Sequence, residues 1–384
     1  MTFLSRWHYP TTSTGRDLRL DLLRGYCVAV MTIDHVGLFP AWTQAITGGA
    51  QLWTTAAEGF VLIAGLVFGV VFGRYSLERG WSWTVRRIGQ RAILLYAIGV
   101  IGHWLINTID YVLRLTRQLD TSVPESYFDL IQAAIFQTRR APANFDLMPL
   151  YALLGFWGLL ALFSLRRTGW SWVLGGSVAL WYAARLQPRA FTIFAMYFSF
   201  AIWQVLFIIG LILGYYYRSI AAWWSKQPLA YLRSVLVVTS ALGVLWFSYQ
   251  ININGAWPEV PTFFGAAAFS RPLLAPLRII FTLWIFAGLY LLVTVLWQPI
   301  KLLLGWVLLP LGQHALTAFV LQSFAAYAIM RLPGWPFPDH DPTLMGFIHL
   351  GIVLAIWAAT LATVYIRTRW SLRRLSRSSA VAEA

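Results

Sequence analysis

Long apolar stretches alternate with short polar segments along almost the whole chain. Each stretch is roughly 17 to 25 residues long, which is what an α-helix needs to cross the hydrocarbon core of a bilayer. Backbone groups in lipid must be hydrogen-bonded within the chain, so stretches of this length predict helices rather than barrel strands. The stretches fall at residues 21–39, 56–73, 90–107, 147–165, 170–184, 197–217, 230–248, 278–297, 302–330 and 345–366.

This pattern predicts an all-α, polytopic membrane protein of about ten transmembrane helices. The fifth stretch is short, and Pro310 interrupts the ninth. Composition agrees with this class, because only 11% of the 384 residues are charged, against about 25% in soluble domains. The first twenty residues are polar and do not resemble a cleavable signal peptide, so we expect the first helix to remain in the mature protein.

The positions of Lys and Arg predict the orientation of the helices. Basic residues near the ends of membrane spans collect on the cytoplasmic side, and with a cytoplasmic N-terminus most of them fall on inner segments. Fewer fall on outer segments, among them Arg271, Arg278 and Arg331. We therefore predict a cytoplasmic tail at 1–20, one membrane domain at 21–366 and a basic cytoplasmic tail at 367–384.

Basic inner rims also account for the net charge of +15, because they face anionic lipid. The bilayer is thus a predicted partner, and nucleic acid is not. The single cysteine, Cys27, excludes an internal disulfide and a cysteine-based metal cluster. Glycine-rich phosphate loops and zinc-binding helix signatures are absent from the sequence, so neither a metal site nor a bound cofactor is predicted.

The first apolar stretch contains ionisable residues that are costly to place in a membrane. Arg24 and His35 are eleven positions apart, which puts them on one helix face with a rise of roughly 16 Å between them. Asp21 lies one turn before Arg24 and can pair with it, whereas Asp34 points about 100° away from His35. Ionisable groups within a span usually face a cavity, so Asp34 and His35 are candidate functional residues.

Further ionisable residues are predicted at the same depth as His35. Glu58 begins the second helix, His103 ends the third, and Asp146 begins the fourth. A histidine paired with a carboxylate can act as a general base toward a hydroxyl, and proton relays in transporters use the same groups. The pattern leaves both open. His314 follows the break at Pro310, where it would either line a cavity or join helix packing.

Five ordered blocks in the sequence resemble the OpgC family, part of a wider acyltransferase-3-like group of bacterial membrane proteins. The likeness runs from about residue 16 to residue 330. The blocks are RDLRLDLLRGYCVAVMTIDHVG, AAEGFVLIAGLVFGVVFGR, NFDLMPLYALL, FAIWQVLFIIGLILGYY and LPLGQHALTAFVLQSF.

The resemblance implies a multi-pass enzyme of the bacterial inner membrane that transfers an acyl group to an extracytoplasmic glycan. In the OpgC case the group is succinyl, the acceptor is a periplasmic glucan, and an acyl-CoA is the expected donor. By the same resemblance, His35 matches the catalytic histidine and Arg24 its basic partner. Glu58 matches the acidic position of the second helix, and Asp146 and Tyr151 fall in another shared block. The residues that we expect to bind substrate are Arg24, His103, Asp146, Tyr151 and His314.

The sequence departs from the family pattern at Ala64, where a serine is expected. We therefore keep two other hypotheses beside a membrane O-acyltransferase with His35 as its base and Glu58 or Asp34 in support. One is a proton-coupled transporter or flippase of an envelope precursor. The other is a structural partner of a glycan-synthesis complex with a degenerate site.

Overall fold

The computed structural model describes residues 8–10, 16–37, 41–49, 51–117, 127–137, 145, 147–191, 193, 198–255, 269–332 and 341–382, with the backbone alone for 114–117 and 367–382. Within these residues the chain is α-helical, with one short 3-10 helix and no strand. The predicted all-α class is confirmed. The helices are α1 Leu18–Val36, α2 Trp42–Thr47, α3 Ala56–Glu78, α4 Trp81–Arg117, α5 Tyr127–Phe136, α6 Leu147–Thr168, α7 Trp170–Leu186, α8 Phe200–Tyr215, α9 Tyr217–Ser225, α10 Ala230–Asn252, α11 Pro276–Val295, α12 Trp297–Gln313, α13 Ala315–Met330 and α14 Pro342–Ala382.

The chain divides into two compact units. The first unit consists of Met1–Ala57, Leu236–Ala256 and Trp284–Ala384, and the second of Glu58–Val235 and Trp257–Leu283. The first unit therefore contains α1, α2, α12, α13 and α14, and the second contains α4 to α9 and almost all of α3.

Six of the described helices, α3, α4, α6, α10, α11 and α14, are long and apolar enough to cross a membrane. Two helix pairs are bent at a short break, α8 with α9 by 65° and α12 with α13 by 88°, and counting each as one span raises the number to eight. The other two predicted spans are also helical. However, α1 carries four charged residues and α7 has only 17 residues, so the count of ten stays a prediction.

Helix α1 has a defined start and end, which fixes the positions of its polar residues. The carboxylate of Asp17 accepts a hydrogen bond from the backbone N–H of Arg19 at 3.0 Å and caps the first turn. At the other end Gly37 adopts a left-handed conformation with φ 60°, which glycine tolerates best. The helix thus begins three residues before the predicted stretch and places Asp34 and His35 in its last turn.

In the first unit, α1 crosses α12 with the two backbones in contact. A Cβ atom at Gly25 would overlap the carbonyl oxygen of Leu308, and one at Gly312 would overlap the carbonyl oxygen of Asp21. Small residues allow such close approach between membrane helices. Arg24, the neighbour of Gly25, therefore lies beside the last turn of α12.

In the second unit, α3 packs against α8 through glycines on both helices. A Cβ at Gly65 would overlap the carbonyl oxygen of Phe207, and one at Gly69 that of Leu211. Gly210 and Gly214 of α8 meet carbonyl oxygens of α3 in the same way. The contacting residue numbers rise together, so the two helices are parallel.

The interruption predicted in the ninth span is confirmed, and it falls at His314 rather than at Pro310. Pro310 lies inside α12, and its carbonyl oxygen accepts a hydrogen bond from the backbone N–H of His314 at 2.9 Å. His314 has φ −117° and ψ 33°, which ends α12 and allows α13 to begin at a new angle. At the C-terminus, α14 continues to Ala382, so most of the predicted basic tail is helical.

Candidate functional site

The polar end of α1 contacts two other elements of the first unit, and we call this group the His35 cluster: Thr32, Asp34, His35, Thr47 and Gln322. The amide nitrogen of Gln322 lies 3.3 Å from Nδ1 of His35. The amide oxygen of Gln322 lies 2.7 Å from the hydroxyl of Thr32. Thr32 and Gln322 are fully buried, while His35 is half-buried. The imidazole is therefore held by a buried amide, while the residue as a whole stays partly exposed.

Packing around the ring further restricts its position. The ring of Phe319 meets the imidazole of His35 edge to face, with 6.4 Å between the ring centroids. One residue further along α1, Val36 is fully buried against Ile329 of α13 and Val353 of α14. The end of α1 is thus enclosed by apolar side chains from two helices, and the His35 cluster is a polar site within an apolar surround.

Asp34 joins the cluster through the short helix α2. The hydroxyl of Thr47 donates a hydrogen bond to Oδ1 of Asp34 at 2.6 Å. Thr43, one turn earlier in α2, hydrogen-bonds Nδ1 of His349 on α14. His349 is fully buried, and the backbone of Ile33 lies against its ring. These two contacts join α2 to α1 and α14, so Asp34 helps to position α2.

The other end of α1 holds a group of opposite charges. Arg16 donates to the carboxylate of Asp21 at 2.5 and 2.6 Å, and the guanidinium of Arg24 lies 3.9 Å from the same carboxylate. The predicted pairing of Asp21 with Arg24 is confirmed, although Arg16 is the closer partner. The side chain of Arg24 is only 12% exposed, so its positive charge lies inside the protein, one helix turn beyond Asp21.

Glu58 belongs to the second unit, where it forms an ion pair with Arg278. One carboxylate oxygen accepts from Nε of Arg278 at 2.9 Å and from a terminal nitrogen at 2.6 Å. The same guanidinium donates to the carbonyl oxygen of Phe269 at 3.3 Å. The side chains of Glu58 and Arg278 are 0% and 4% exposed. Arg278 is therefore not a residue of a basic outer rim, and the pairing of Glu58 with His35 stays a prediction.

The remaining candidate residues lie in different places. His103 is fully buried on α4 beside Gln137. Tyr151, on α6, meets the ring of Phe60 edge to face at 5.6 Å. His314 is partly exposed at the break between α12 and α13. Asp146 lies outside the described residues. The structure brings His103 and Tyr151 into the second unit and His314 into the first, and it leaves their substrate-binding roles as predictions.

The His35 cluster has the groups that a proton transfer requires. It combines an imidazole, a carboxylate and a buried amide on elements fixed by packing, and the amide can set which ring nitrogen carries the proton. Metal ligation has less support, because the described residues contain no group of three or more His, Cys, Asp or Glu side chains that could hold an ion.

Gln322 and Arg278 are the two buried residues of these sites whose roles the sequence reasoning most clearly missed. Gln322 is neutral and lies in an apolar stretch, so a search for ionisable residues passes over it. Arg278 was counted as an outer basic residue, because the rule for orientation treats every arginine near a span end alike. The usable signal for Gln322 would have been the presence of a glutamine within an otherwise apolar span.

Comparison with known proteins gives one match. The family described as OpgC protein matches residues 16–370, nearly the whole chain. No curated protein and no solved structure matches the chain. The family match extends past the five blocks found by inspection and covers both units, including α1 with Arg24 and His35 and α13 with Gln322. The chain belongs to the OpgC family.

Proposed function

We propose that the protein is a membrane O-acyltransferase of the bacterial inner membrane. It transfers an acyl group, with succinyl as the first candidate, from a cytoplasmic acyl-CoA to a hydroxyl of an extracytoplasmic glycan. The observation that carries the proposal is the His35 cluster, a histidine held by a buried amide in a chain of the OpgC family. A base and an oriented acceptor hydroxyl are the two requirements of this reaction.

The proposed chemistry uses few protein groups. His35 removes the proton from the acceptor hydroxyl as the oxygen attacks the thioester carbonyl. The carbon–sulfur bond then breaks, an ester forms, and the thiol of coenzyme A leaves with the proton. Arg24 lies roughly 16 Å from His35 along α1, and a guanidinium is suited to phosphate groups of the donor. One helix would therefore contact both substrates.

Transfer of an added acyl group to an added glycan is the direct test. Purified protein in liposomes is given an acyl-CoA and a glucan acceptor, and mass spectrometry follows the mass of the glucan while a thiol assay follows donor cleavage. The proposal expects one acyl group gained per thiol released. Donor cleavage without glucan acylation would contradict it, as would unchanged envelope glycans in cells that lack the protein.

A proton-coupled transporter of an envelope precursor is the second candidate. Transporters commonly use paired broken helices that bind substrate near the bilayer midplane. The observation that favours this candidate is that bent helix pairs occur in both units, α12 with α13 in the first and α8 with α9 in the second. Uptake of a labelled precursor driven by a proton gradient, in liposomes without any acyl-CoA, would favour the transporter.

The proposed orientation is ten spans with both termini in the cytoplasm. A reporter fused after residue 384 should then read cytoplasmic, and a reporter inserted near residue 125 should read periplasmic. The physical basis is the excess of Lys and Arg on the segments assigned to the inside. An insertion near residue 260 serves as a control, because it should also read periplasmic. Reporters after 384 and near 125 that read the same side would show that the helix count is wrong.

Replacement of Arg24 tests its proposed contact with the donor. Arg24→Lys should keep part of the activity and Arg24→Leu should lose it, because a point charge partly replaces a guanidinium in phosphate binding. In Arg24→Lys, which keeps part of the activity, KM for the acyl-CoA should rise more than KM for the glucan. Asp21→Asn is the matched control, since Asp21 also pairs with Arg16. If Arg24→Lys, Arg24→Leu and Asp21→Asn lose activity equally, the role of Arg24 is to pair with Asp21.

A further inference from the structure

The buried amide of Gln322 lies between His35 and Thr32 and contacts both. Its nitrogen is 3.3 Å from Nδ1 of His35, and its oxygen is 2.7 Å from the hydroxyl oxygen of Thr32. The same hydroxyl lies 2.8 Å from the carbonyl oxygen of Val28. Gln322 and Thr32 are both 0% exposed, so these polar atoms must satisfy one another within the protein.

Two assignments of donors and acceptors fit these positions, because the amide group keeps nearly the same shape when its oxygen and nitrogen exchange places. In the first, the amide N–H donates to Nδ1 of His35, and the hydroxyl of Thr32 donates to the amide oxygen. The imidazole then carries its proton on Nε2. In this form Nε2 is a donor, and it cannot take a proton from a hydroxyl.

In the second assignment the amide is turned over. The hydroxyl of Thr32 donates to the carbonyl oxygen of Val28, a bond common for threonine within a helix. The amide N–H donates to the oxygen of Thr32, and the amide oxygen accepts the proton of Nδ1 of His35. The hydroxyl proton of Thr32, this amide proton and the proton on Nδ1 each have one acceptor, and Nε2 carries the lone pair. In the first assignment the single proton of Thr32 faces two acceptors at similar distance, the carbonyl of Val28 and the amide oxygen.

We propose that Gln322 is a positioning residue that holds His35 in the form protonated on Nδ1, and that Thr32 fixes the orientation of the Gln322 amide. This rests on the proposed function, in which Nε2 of His35 removes the hydroxyl proton. Gln322 replaces the carboxylate that the sequence predicted for this role. A neutral amide sets the tautomer without adding a negative charge to an apolar surround, where a charge would be costly.

Two substitutions of Gln322 separate the assignments by activity. Gln322→Met keeps the length of the side chain and removes both hydrogen bonds, so kcat should fall by about 10²-fold with little change in KM, as when an orienting group is lost. Gln322→Glu should keep activity within about tenfold of wild type, because a carboxylate accepts the proton of Nδ1. Gln322→Glu as inactive as Gln322→Met, with both proteins folded, would show that the amide donates to Nδ1 and would overturn the proposal.

The role of Thr32 is tested by combining substitutions. Thr32→Val keeps the shape and removes the hydroxyl, so the Gln322 amide can turn over and kcat should fall. The same change should have little effect in the Gln322→Glu background, because the two oxygens of a carboxylate are equivalent and need no fixed orientation. An equal loss in both backgrounds would mean that Thr32 acts by packing, and it would overturn the part of the proposal that concerns Thr32.

A direct measurement of the tautomer separates this inference from the proposed function. Protein with ¹⁵N-labelled histidine in lipid is studied by solid-state NMR, and the His35 signals are assigned by their loss in His35→Ala. We expect Nδ1 to be protonated and Nε2 unprotonated in wild type, and Gln322→Met to shift the population toward protonated Nε2. Protonated Nε2 in wild type would overturn the inference whether or not acyl transfer occurs. The expected tautomer in a protein that transfers no acyl group would overturn only the proposed function.

Discussion

His35→Ala should leave a folded, membrane-inserted protein whose acyl transfer falls by about 10² to 10⁴-fold, the usual contribution of a general base. The loss should appear in kcat with the acyl-CoA donor saturating, because His35 contacts the acceptor hydroxyl rather than the donor in the proposed reaction. The measurement is glucan acylation in liposomes, with donor hydrolysis followed separately. Donor binding should be retained, since Arg24 is unchanged.

The free energy of unfolding of the His35→Ala protein should also fall, but the protein should stay folded. His35 shares one hydrogen bond with the buried amide of Gln322. Leaving a buried polar group such as this amide without its partner costs about 1 to 3 kcal/mol. His35→Gln offers a second variant that can still hydrogen-bond the amide of Gln322. It should restore part of the stability and none of the activity, which separates the chemical role of the imidazole from its packing.

His349 is the matched control for His35. It is a fully buried histidine of the same unit, hydrogen-bonded to Thr43, and the proposed reaction gives it no part. His349→Gln should therefore lower thermal stability without lowering kcat by more than a few-fold. Normal acyl transfer by His35→Ala would remove the imidazole from the mechanism, and a loss in His349→Gln as large as in His35→Ala would mean that unit packing, not His35 itself, controls activity.

The pattern of apolar residues was enough to predict the helical class and the position of α1. The thickness of the bilayer fixes the length of a span. The sequence supplies an N-cap at Asp17, where the helix begins, and a glycine at Gly37, where it ends. The number of spans is harder to predict, because the ionisable residues that make α1 a candidate site also make it less apolar than other spans. Four charged residues within 19 make α1 resemble a polar helix.

The partners of the polar residues could not be predicted, because they come from distant parts of the chain. Thr32 and Gln322 are separated by 290 positions, and Glu58 and Arg278 by 220. Helical periodicity indicates which face a residue lies on, but it does not indicate which helix covers that face. A shared depth in the membrane suggested Glu58 as the partner of His35, and depth alone is compatible with any helix of the bundle.

The position of α2 illustrates the same limit on a short segment. Its six residues are too few to show a periodic pattern, and Thr43 and Thr47 are ordinary loop residues in the sequence. Their importance comes from the hydrogen bonds to His349 and Asp34, which depend on how α14 packs against α1. Asp34 was predicted as a catalytic residue, and its observed contact with Thr47 adds a structural role that the sequence did not indicate.

Glu58→Gln should lower the free energy of unfolding by about 3 to 5 kcal/mol, because it leaves the buried charge of Arg278 without its carboxylate. Both side chains are almost fully buried, and one oxygen of Glu58 accepts two hydrogen bonds from the guanidinium. The measurement is thermal or denaturant unfolding in detergent, followed by the loss of helical signal. Arg278→Met should be similarly destabilising, since it removes the guanidinium that pairs with the buried carboxylate of Glu58.

Removing both charges together distinguishes the pairing from the catalytic support that the sequence predicted. Replacing a buried ion pair by apolar residues of similar size is often neutral or stabilising, so Glu58→Leu combined with Arg278→Met should recover most of the lost stability. If Glu58 acts only through Arg278, the double variant should also recover acyl transfer. If its carboxylate supports His35, the double variant should be stable and inactive.

The same helix provides a matched control for the Glu58 substitutions. Glu78, at the end of α3, pairs with Arg74 at 2.6 Å, and the two side chains are 48% and 55% exposed. Water already solvates these charges, so Glu78→Gln should leave the unfolding transition almost unchanged. Equal destabilisation by Glu58→Gln and Glu78→Gln would contradict the argument, because the expected cost of Glu58→Gln comes from burial of the Arg278 charge and not from the loss of an ion pair as such.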